Sequence, residues 1–475
     1  MRRCKTLRGG LLLFLAFAVR ADDPVPGRVT DRVVCRDRPD QAYALFLPSA
    51  YAAERPAPIL YLLDARGRAL YALERFRAAA EAYGWILASS WNSRSDTKDD
   101  PNTPALQAMW NDTHALLAID PGRTYLGGFS GGGRAAVALA LRASNRVAGV
   151  IGCGAGLPGD ATPQKGLPFL YFGTAGDRDF NYYEMRALDA DLERARAAHR
   201  VEVFDGGHDW PPPEVAARAL AWMELAAMRS GLRGRDEALA ASLLRAELSR
   251  AGALEAAGRP AEASLLYTHA AEDFRGLADV GPASDKAAAL AGSAEVRKAL
   301  RDADRRDDRD RGALRALAQK LQAALRDPDI RPAAAVAADL GVPALRHRAA
   351  SGPREERLSA ERLLANLRVQ TSFYLPEDLL ARGDFAHARL ALEIAATIDP
   401  DDPRVYYNLA SADARSGQGR RARKELDRAI EKGFRRFEIL DTDPDFAALR
   451  EDPEFRKWLG QARPNAPAPS PTPAP

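Results

Sequence analysis

From about residue 27 to residue 232, short apolar runs alternate with amphipathic ones. The runs Arg28 to Cys35, Ala42 to Leu47, Ile59 to Leu63, Trp85 to Ser89, Thr124 to Gly128, Val147 to Cys153, Phe169 to Gly173 and Val201 to Phe204 are rich in β-branched and aromatic residues. Gly, Pro and Asp bound most of them, so they predict eight strands. Helical spacing falls between the later ones, at Leu70 to Tyr83, Gly132 to Ala143, Tyr182 to His199 and Pro213 to Ser230. Strands that read as continuous apolar runs are covered on both faces, which predicts a mostly parallel sheet clad in helices. Arg38-Pro39-Asp40 supplies a hairpin-like turn between the first two strands.

Past Gly231 the chain becomes rich in Ala, Leu, Arg and Glu, with almost no β-branched runs, and predicts helices only. Part of it repeats. Gly383, Ala388 and Ala395 recur 34 residues later as Gly417, Ala422 and Ala429, and the same offsets link Gly258, Ala263 and Ala270. This period resembles the tetratricopeptide repeat, whose small residues let two antiparallel helices approach closely. Pro400, Tyr406, Leu409 and Ala410 fit the resemblance, which is good over 379–433 and weaker near 240–275. The Arg/Asp-dense run 300–312 reads as a solvated helix face or linker, and the Pro/Ala-rich tail 464–475 as disordered.

The first residues read as a targeting segment. Arg2, Arg3, Lys5 and Arg8 precede the apolar run Leu11 to Val19, and Val19-Arg20-Ala21 offers a cleavage site. Nine apolar residues are too few for a permanent bilayer anchor. The expected organisation is therefore a signal peptide (1–21), a sheet-and-helix domain (22–232), a helical region (233–463) and the tail, in an exported protein that is periplasmic or secreted. Cys35 and Cys153 are expected to be buried free thiols.

Composition narrows the function without naming it. The 475 residues are 46% hydrophobic and 28% charged, as in ordinary globular proteins. With 68 basic against 65 acidic residues there is no cationic field for a nucleic-acid partner. Gly154-Ala155-Gly156-Leu157-Pro158-Gly159 satisfies G-x-G-x-x-G, but Pro158 and Pro163 predict a loop where a dinucleotide site needs a helix. Walker, CxxC-pair and H-E-x-x-H patterns are absent, so neither a cofactor nor a metal is expected.

One motif does carry chemistry. Gly128-Phe129-Ser130-Gly131-Gly132 follows a strand and opens a helix, the setting of a nucleophile elbow that lifts a Ser out of the sheet. A serine hydroxyl needs a base, usually a His held by a carboxylate. Asp177-Arg178-Asp179 and Gly206-Gly207-His208 follow the last two strands, giving the order Ser, Asp, His. His199, the nearest rival, reads as a helix C-terminal cap.

These residues resemble the α/β-hydrolase superfamily over roughly 27–230, closest to compact esterases of the dienelactone-hydrolase, feruloyl-esterase and polyhydroxybutyrate-depolymerase type. The resemblance implies Ser130 as nucleophile, His208 as base and then acid, and Asp179 as the orienting carboxylate. It also implies an oxyanion hole from the N–H groups of Gly131 and Ala65, although Asp64-Ala65 stands where many members carry His-Gly. Trp91, Trp110 and Trp210 are candidate pocket walls.

The expected activity is cleavage of a small-molecule or polymer ester. Peptidase and lactonase chemistry on the same triad, and an idle hydrolase fold serving as an exported binding or scaffold protein, are the alternatives. A protein partner or substrate positioning is the expected job of the repeats. Because the helical region supplies none of these groups, hydrolysis of a small ester is expected to survive truncation after about residue 232.

Overall fold

The computed structural model describes residues 24–143, 145–159 and 166–463. The expected leader and tail lie outside them. Eight strands form one sheet: β1 Val29–Val34, β2 Ala42–Phe46, β3 Ala57–Leu63, β4 Ile86–Ser90, β5 Ile119–Phe129, β6 Gly149–Cys153, β7 Leu170–Gly176 and β8 His199–Phe204. Their spatial order is β1-β2-β4-β3-β5-β6-β7-β8. Only β2 runs against its neighbours; all pairs from β4 to β8 are parallel.

Alternation within each strand divides the core in two. On β3, Ile59, Tyr61 and Leu63 face one side, where they meet α2 (Asn102–Leu116), α3 (Gly131–Arg142) and α4 (Tyr182–Arg194). Leu60 and Leu62 face the other, against α1 (Ala69–Tyr83) and α5 (Pro213–Ser230). Both faces are thus buried, which is why the strands read as unbroken apolar runs. The first half has the expected fold, an eight-stranded mostly parallel sheet between helices, and the described chain beyond it is all helical.

Helix α2, which the hydrophobic pattern did not predict, starts at Asn102, whose N–H is bonded to Asp100 Oδ1. One expectation needs correction here. His199 is not a helix cap. Helix α4 stops at Arg194, and His199 opens β8, buried, with Nε2 3.2 Å from Asp189.

Helices α6 (Glu237–Ala256), α7 (Pro260–Asp273) and α8 (Gly281–Ala291) pack directly on the sheet half, with Leu225 and Met228 of α5 in their core. The 31-residue α9 (Ala294–Ala324) follows, then α10 (Ala333–Asp339), α11 (Val342–Ser351) and α12 (Arg354–Val369). A π-helical turn at Gln370–Tyr374 leads into α13 (Leu375–Ala381), α14 (Phe385–Ile398), α15 (Pro403–Arg415) and α16 (Gly419–Glu431). Gly383 and Gly417 turn the chain with φ of 78° and 73°, a conformation glycine adopts without strain. Ala388, Ala395, Ala422 and Ala429 have no exposed surface, so helix pairs close on a methyl group.

The charged run 300–312 belongs to α9, and it is not a purely solvated face. Asp310 is buried and accepts a 2.6 Å hydrogen bond from the Tyr183 hydroxyl of α4, which burial and this bond hold well above its usual pKa. Arg186 faces Asp307 at 3.6 Å. Arg362 of α12 lays its guanidinium 3.6 Å over the Tyr182 ring and donates to the Asp177 carbonyl at 2.6 Å. The two halves are therefore joined by polar side chains at several points along their contact.

Candidate active site

Ser130 stands between β5 and α3 with φ 55° and ψ −125°, a region that costs a residue with a Cβ. The strain is held in place by glycines. A Cβ on Gly128 would lie 2.2 Å from the Gly132 carbonyl oxygen, and one on Gly132 would lie 2.1 Å from that of Leu63. Only bare backbone lets strand, turn and helix pass this closely, and the Ser130 N–H is tied to the Cys153 carbonyl at 2.8 Å.

His208 reaches the turn from the loop after β8. Its Nε2 is 3.0 Å from Ser130 Oγ, and its Nδ1 is 2.8 Å from Asp179 Oδ1. The ring is clamped by Phe129 and Phe180, with centroids 4.6 and 4.0 Å away. Asp179 is fully buried; Oδ1 also accepts from Asn181 N at 2.7 Å, while Oδ2 has no partner among the described residues. Asp177 has a different place. Its Oδ1 accepts from Gly206 N at 3.1 Å, and Oδ2 is 3.8 Å from Arg354 of α12, so it ties the turn to the helical half.

Ala65 and Gly131 flank the serine. Among the described residues neither backbone N–H has a protein acceptor, and both residues sit at the turn, Ala65 N being 3.5 Å from the position of a Cβ on Gly132. Asp64, the departure from the usual loop sequence, is buried beneath. Burial works to raise its pKa, but hydrogen bonds from Arg68 and Trp210 outweigh that and hold it below the usual carboxylate range. It accepts from Arg66 N at 2.8 Å and from Arg68 N at 3.0 Å, and so shapes the loop that presents Ala65.

The tryptophans do not wall the pocket. Trp210 is 2% exposed, packs on Phe76 and Phe129, and donates its indole N–H to Asp64 Oδ2 at 2.8 Å. Trp91 donates to the Asp31 carbonyl at 2.8 Å, and Trp110 stacks on Tyr61 and His114. Their aromatic type was the only signal, and the core used it. The Gly-rich decoy has a local purpose instead: at Gly154, φ 62°, a Cβ would lie 3.1 Å from Asp179 Oδ2 and 3.2 Å from the His208 ring. Thiols are not candidates for the nucleophile, since burial pushes Cys153 up to about 12 and Cys35 up to about 11.

The pocket itself comes from both halves of the chain. Ser130 and His208 open into a cleft of about 970 Å³ whose floor includes Ala65, Phe129 and Phe180 and whose roof is Leu364, Val369, Phe373, Tyr374, Ile398 and Val405. The roof centres on the π-helical turn, a distortion often found at functional sites. The cover arrives from more than two hundred residues downstream, which no local pattern encodes.

The two halves have separate relatives. Residues 379–451 match the family model of the tetratricopeptide repeat. Solved structures similar to the first half include S-formylglutathione hydrolase (FrmB) from Staphylococcus aureus, at 15% identity and TM-score 0.31, covering 38% of this chain and 90% of that one. A ferulic acid esterase shares 18% identity at TM-score 0.32, covering 42% and 95%. A carboxylesterase from Mesorhizobium loti shares 20% at TM-score 0.33, covering 41% and 99%. With scores this low, the strand order and the Ser130 turn of the chain itself carry the fold assignment.

Proposed function

We propose that the chain is a serine hydrolase that cleaves a carboxylic ester through an acyl-enzyme. The observation that carries this reading is the continuous hydrogen-bonded line Asp179, His208, Ser130, set on a strained turn beside two N–H groups that have no acceptor among the described residues. In the reaction, Ser130 Oγ attacks the ester carbon as His208 Nε2 takes its proton. Asp179 Oδ1 receives the Nδ1–H, fixing the tautomer and favouring the imidazolium. The tetrahedral oxyanion points at Ala65 N–H and Gly131 N–H; one such donor is typically worth about 10²–10³ in turnover. His208 then protonates the departing alcohol, and water repeats the sequence to release the acid. An exported location is part of the proposal and rests on residues 1–21 alone.

A fluorophosphonate probe tests the reading directly. It should label the intact chain and leave Ser130→Ala unlabelled; equal labelling of both, or of neither, would remove Ser130 from the role.

A further inference from the structure

The aim of the Ala65 N–H is fixed from outside its own loop. A peptide unit is planar, so that N–H points opposite to the Asp64 carbonyl at the other end of the same plane. The carbonyl accepts from Ser93 Oγ at 2.8 Å and from Gly67 N at 3.2 Å. Ser93 follows β4 and has no exposed surface, so a buried hydroxyl from a neighbouring strand end holds the donor's direction. Ser95 continues the strap. Its N–H donates to the Ala65 carbonyl at 3.0 Å, and its Cβ stands 2.1 Å from the position of a Cβ on Gly131. One short segment after β4 therefore abuts both residues whose N–H groups flank Ser130.

The Asp64 side chain ties the same loop to the histidine. Its Oδ1 accepts from Arg66 N, Arg68 N and Arg68 Nε at 2.8, 3.0 and 3.1 Å. Its Oδ2 accepts from the Arg68 guanidinium at 3.0 Å and from Trp210 Nε1 at 2.8 Å. Trp210 lies two residues past His208, and Asp209 between them accepts from the Tyr71 hydroxyl of α1. A carboxylate closed to solvent is costly unless its oxygens are satisfied, and two apolar side chains would join the loops at less cost. What the carboxylate adds is direction, because each bond fixes a donor at one angle.

We propose that Ser93 and Asp64 are positioning residues for the oxyanion: Ser93 aims the Ala65 N–H, and Asp64, clasping Trp210, holds that donor in one frame with His208. This rests on the serine-hydrolase reading of Ser130. Both side chains are buried and act through Ala65, whose N–H gains most once negative charge develops on the ester oxygen.

The experiment compares full-length Ser93→Ala, Asp64→Asn and Trp210→Phe with the intact chain on 4-nitrophenyl butyrate, with active sites counted by fluorophosphonate labelling. In each variant kcat per labelled site should fall about tenfold or more, with KM within about twofold. A trifluoromethyl ketone supplies a second readout: Ser130 Oγ adds to its carbonyl carbon, His208 keeps the proton, and the carbonyl oxygen becomes the anion. Its affinity should fall about as much as kcat/KM does. In Ser93→Ala the acid limb of the pH profile of kcat/KM should stay in place, because the His208–Asp179 bond is untouched. A purely structural role would lower Tm and the number of labelled sites while leaving kcat per site and ketone affinity as they are in the intact chain. That result in Ser93→Ala and Trp210→Phe overturns the proposal, whether or not Asp64→Asn folds, and so does a loss confined to KM. Absence of Ser130-dependent turnover sinks the functional reading and this inference with it; turnover that needs Ser130 but is indifferent to Ser93 and Trp210 sinks this inference alone.

Discussion

The two halves of the chain spend their polar residues differently. In the sheet half both faces are sealed, with Tyr61, Leu62, Leu63, Ile86 and Leu87 at 0% exposure; of its buried polar groups Asp64 and Asp179 hold the loops around the Ser130 turn, while Arg123 with Glu224 ties β5 to α5. The helical half is built in thin layers, and its buried charges, such as Arg389 with Asp413 and Glu425, tie neighbouring helices together. Where the halves meet, each supplies what the other lacks: Tyr182, Tyr183 and Trp222 from the first, Arg362, Asp310 and Asp273 from the second. The contact is therefore specified by direction as much as by apolar area. A repeat array alone exposes a groove to whatever fits it. Here the sheet half packs against the helices, and they roof its cleft.

Cutting the chain after residue 232 should have the largest effect. It bares Trp222, Leu225 and Met228 of α5, each worth about 1.5–3 kcal/mol when buried. A Tm lowered by roughly 10 °C or more, or aggregation on expression, is the expected result in a thermal-melt comparison. This revises the expectation that activity survives the cut. A truncated chain that melts like the intact one would show the halves to be independent.

Within the site, Asp179→Asn should lower kcat on the order of 10⁴ with the fold intact, by analogy with serine proteases. Asp177→Asn should be mild in kcat, because its carboxylate meets Gly206 N and Arg354 rather than the imidazole. Steady-state kinetics on both variants decides between them, and the reverse ranking would reassign the acid. At the seam, a double-mutant cycle of Tyr183→Phe and Asp310→Asn should give a coupling of about 1.5–3 kcal/mol by denaturant titration. Additive single effects would mean that the pair is not a joint between the halves.

A further effect concerns pH. His269 of α7 is pushed down to about 3, chiefly by burial, with Arg200 adding to it. Unfolded, it binds a proton near its ordinary value of about 6.5. Between these limits the unfolded chain holds more protons, so the stability linked to His269 is complete above pH 6.5 and declines as pH falls toward 3. His269→Gln should flatten that part of the stability profile, and an unaltered slope in urea melts from pH 7 to pH 4 would exclude the residue.

The eight strands were legible because two-sided burial leaves an unmistakable mark on a sequence. That Ser130, Asp179 and His208 come together was legible because each follows a strand end. Helix α2 was missed because Asn102, Thr103 and Pro104 read as loop, although Asp100 and Pro101 are good initiators of a helix. Docking was not legible at all. Tyr183 and Asp310 are 127 residues apart, and a hydrogen bond across such a gap leaves no periodicity in either segment. The run 300–312 therefore read as solvated face, though one of its carboxylates is buried against another part of the chain.

The sealed thiols have a use in timing. Cys153 ends β6 directly beneath the serine turn, while Cys35 follows β1 at the opposite margin of the sheet, and both are closed to solvent. A thiol-specific reagent therefore reacts only when the surrounding backbone opens, and the two labelling rates act as separate clocks. An edge that frays exposes Cys35 alone. Reaction at Cys153 requires the centre of the sheet to part, so its rate records how long the Ser130 turn itself endures.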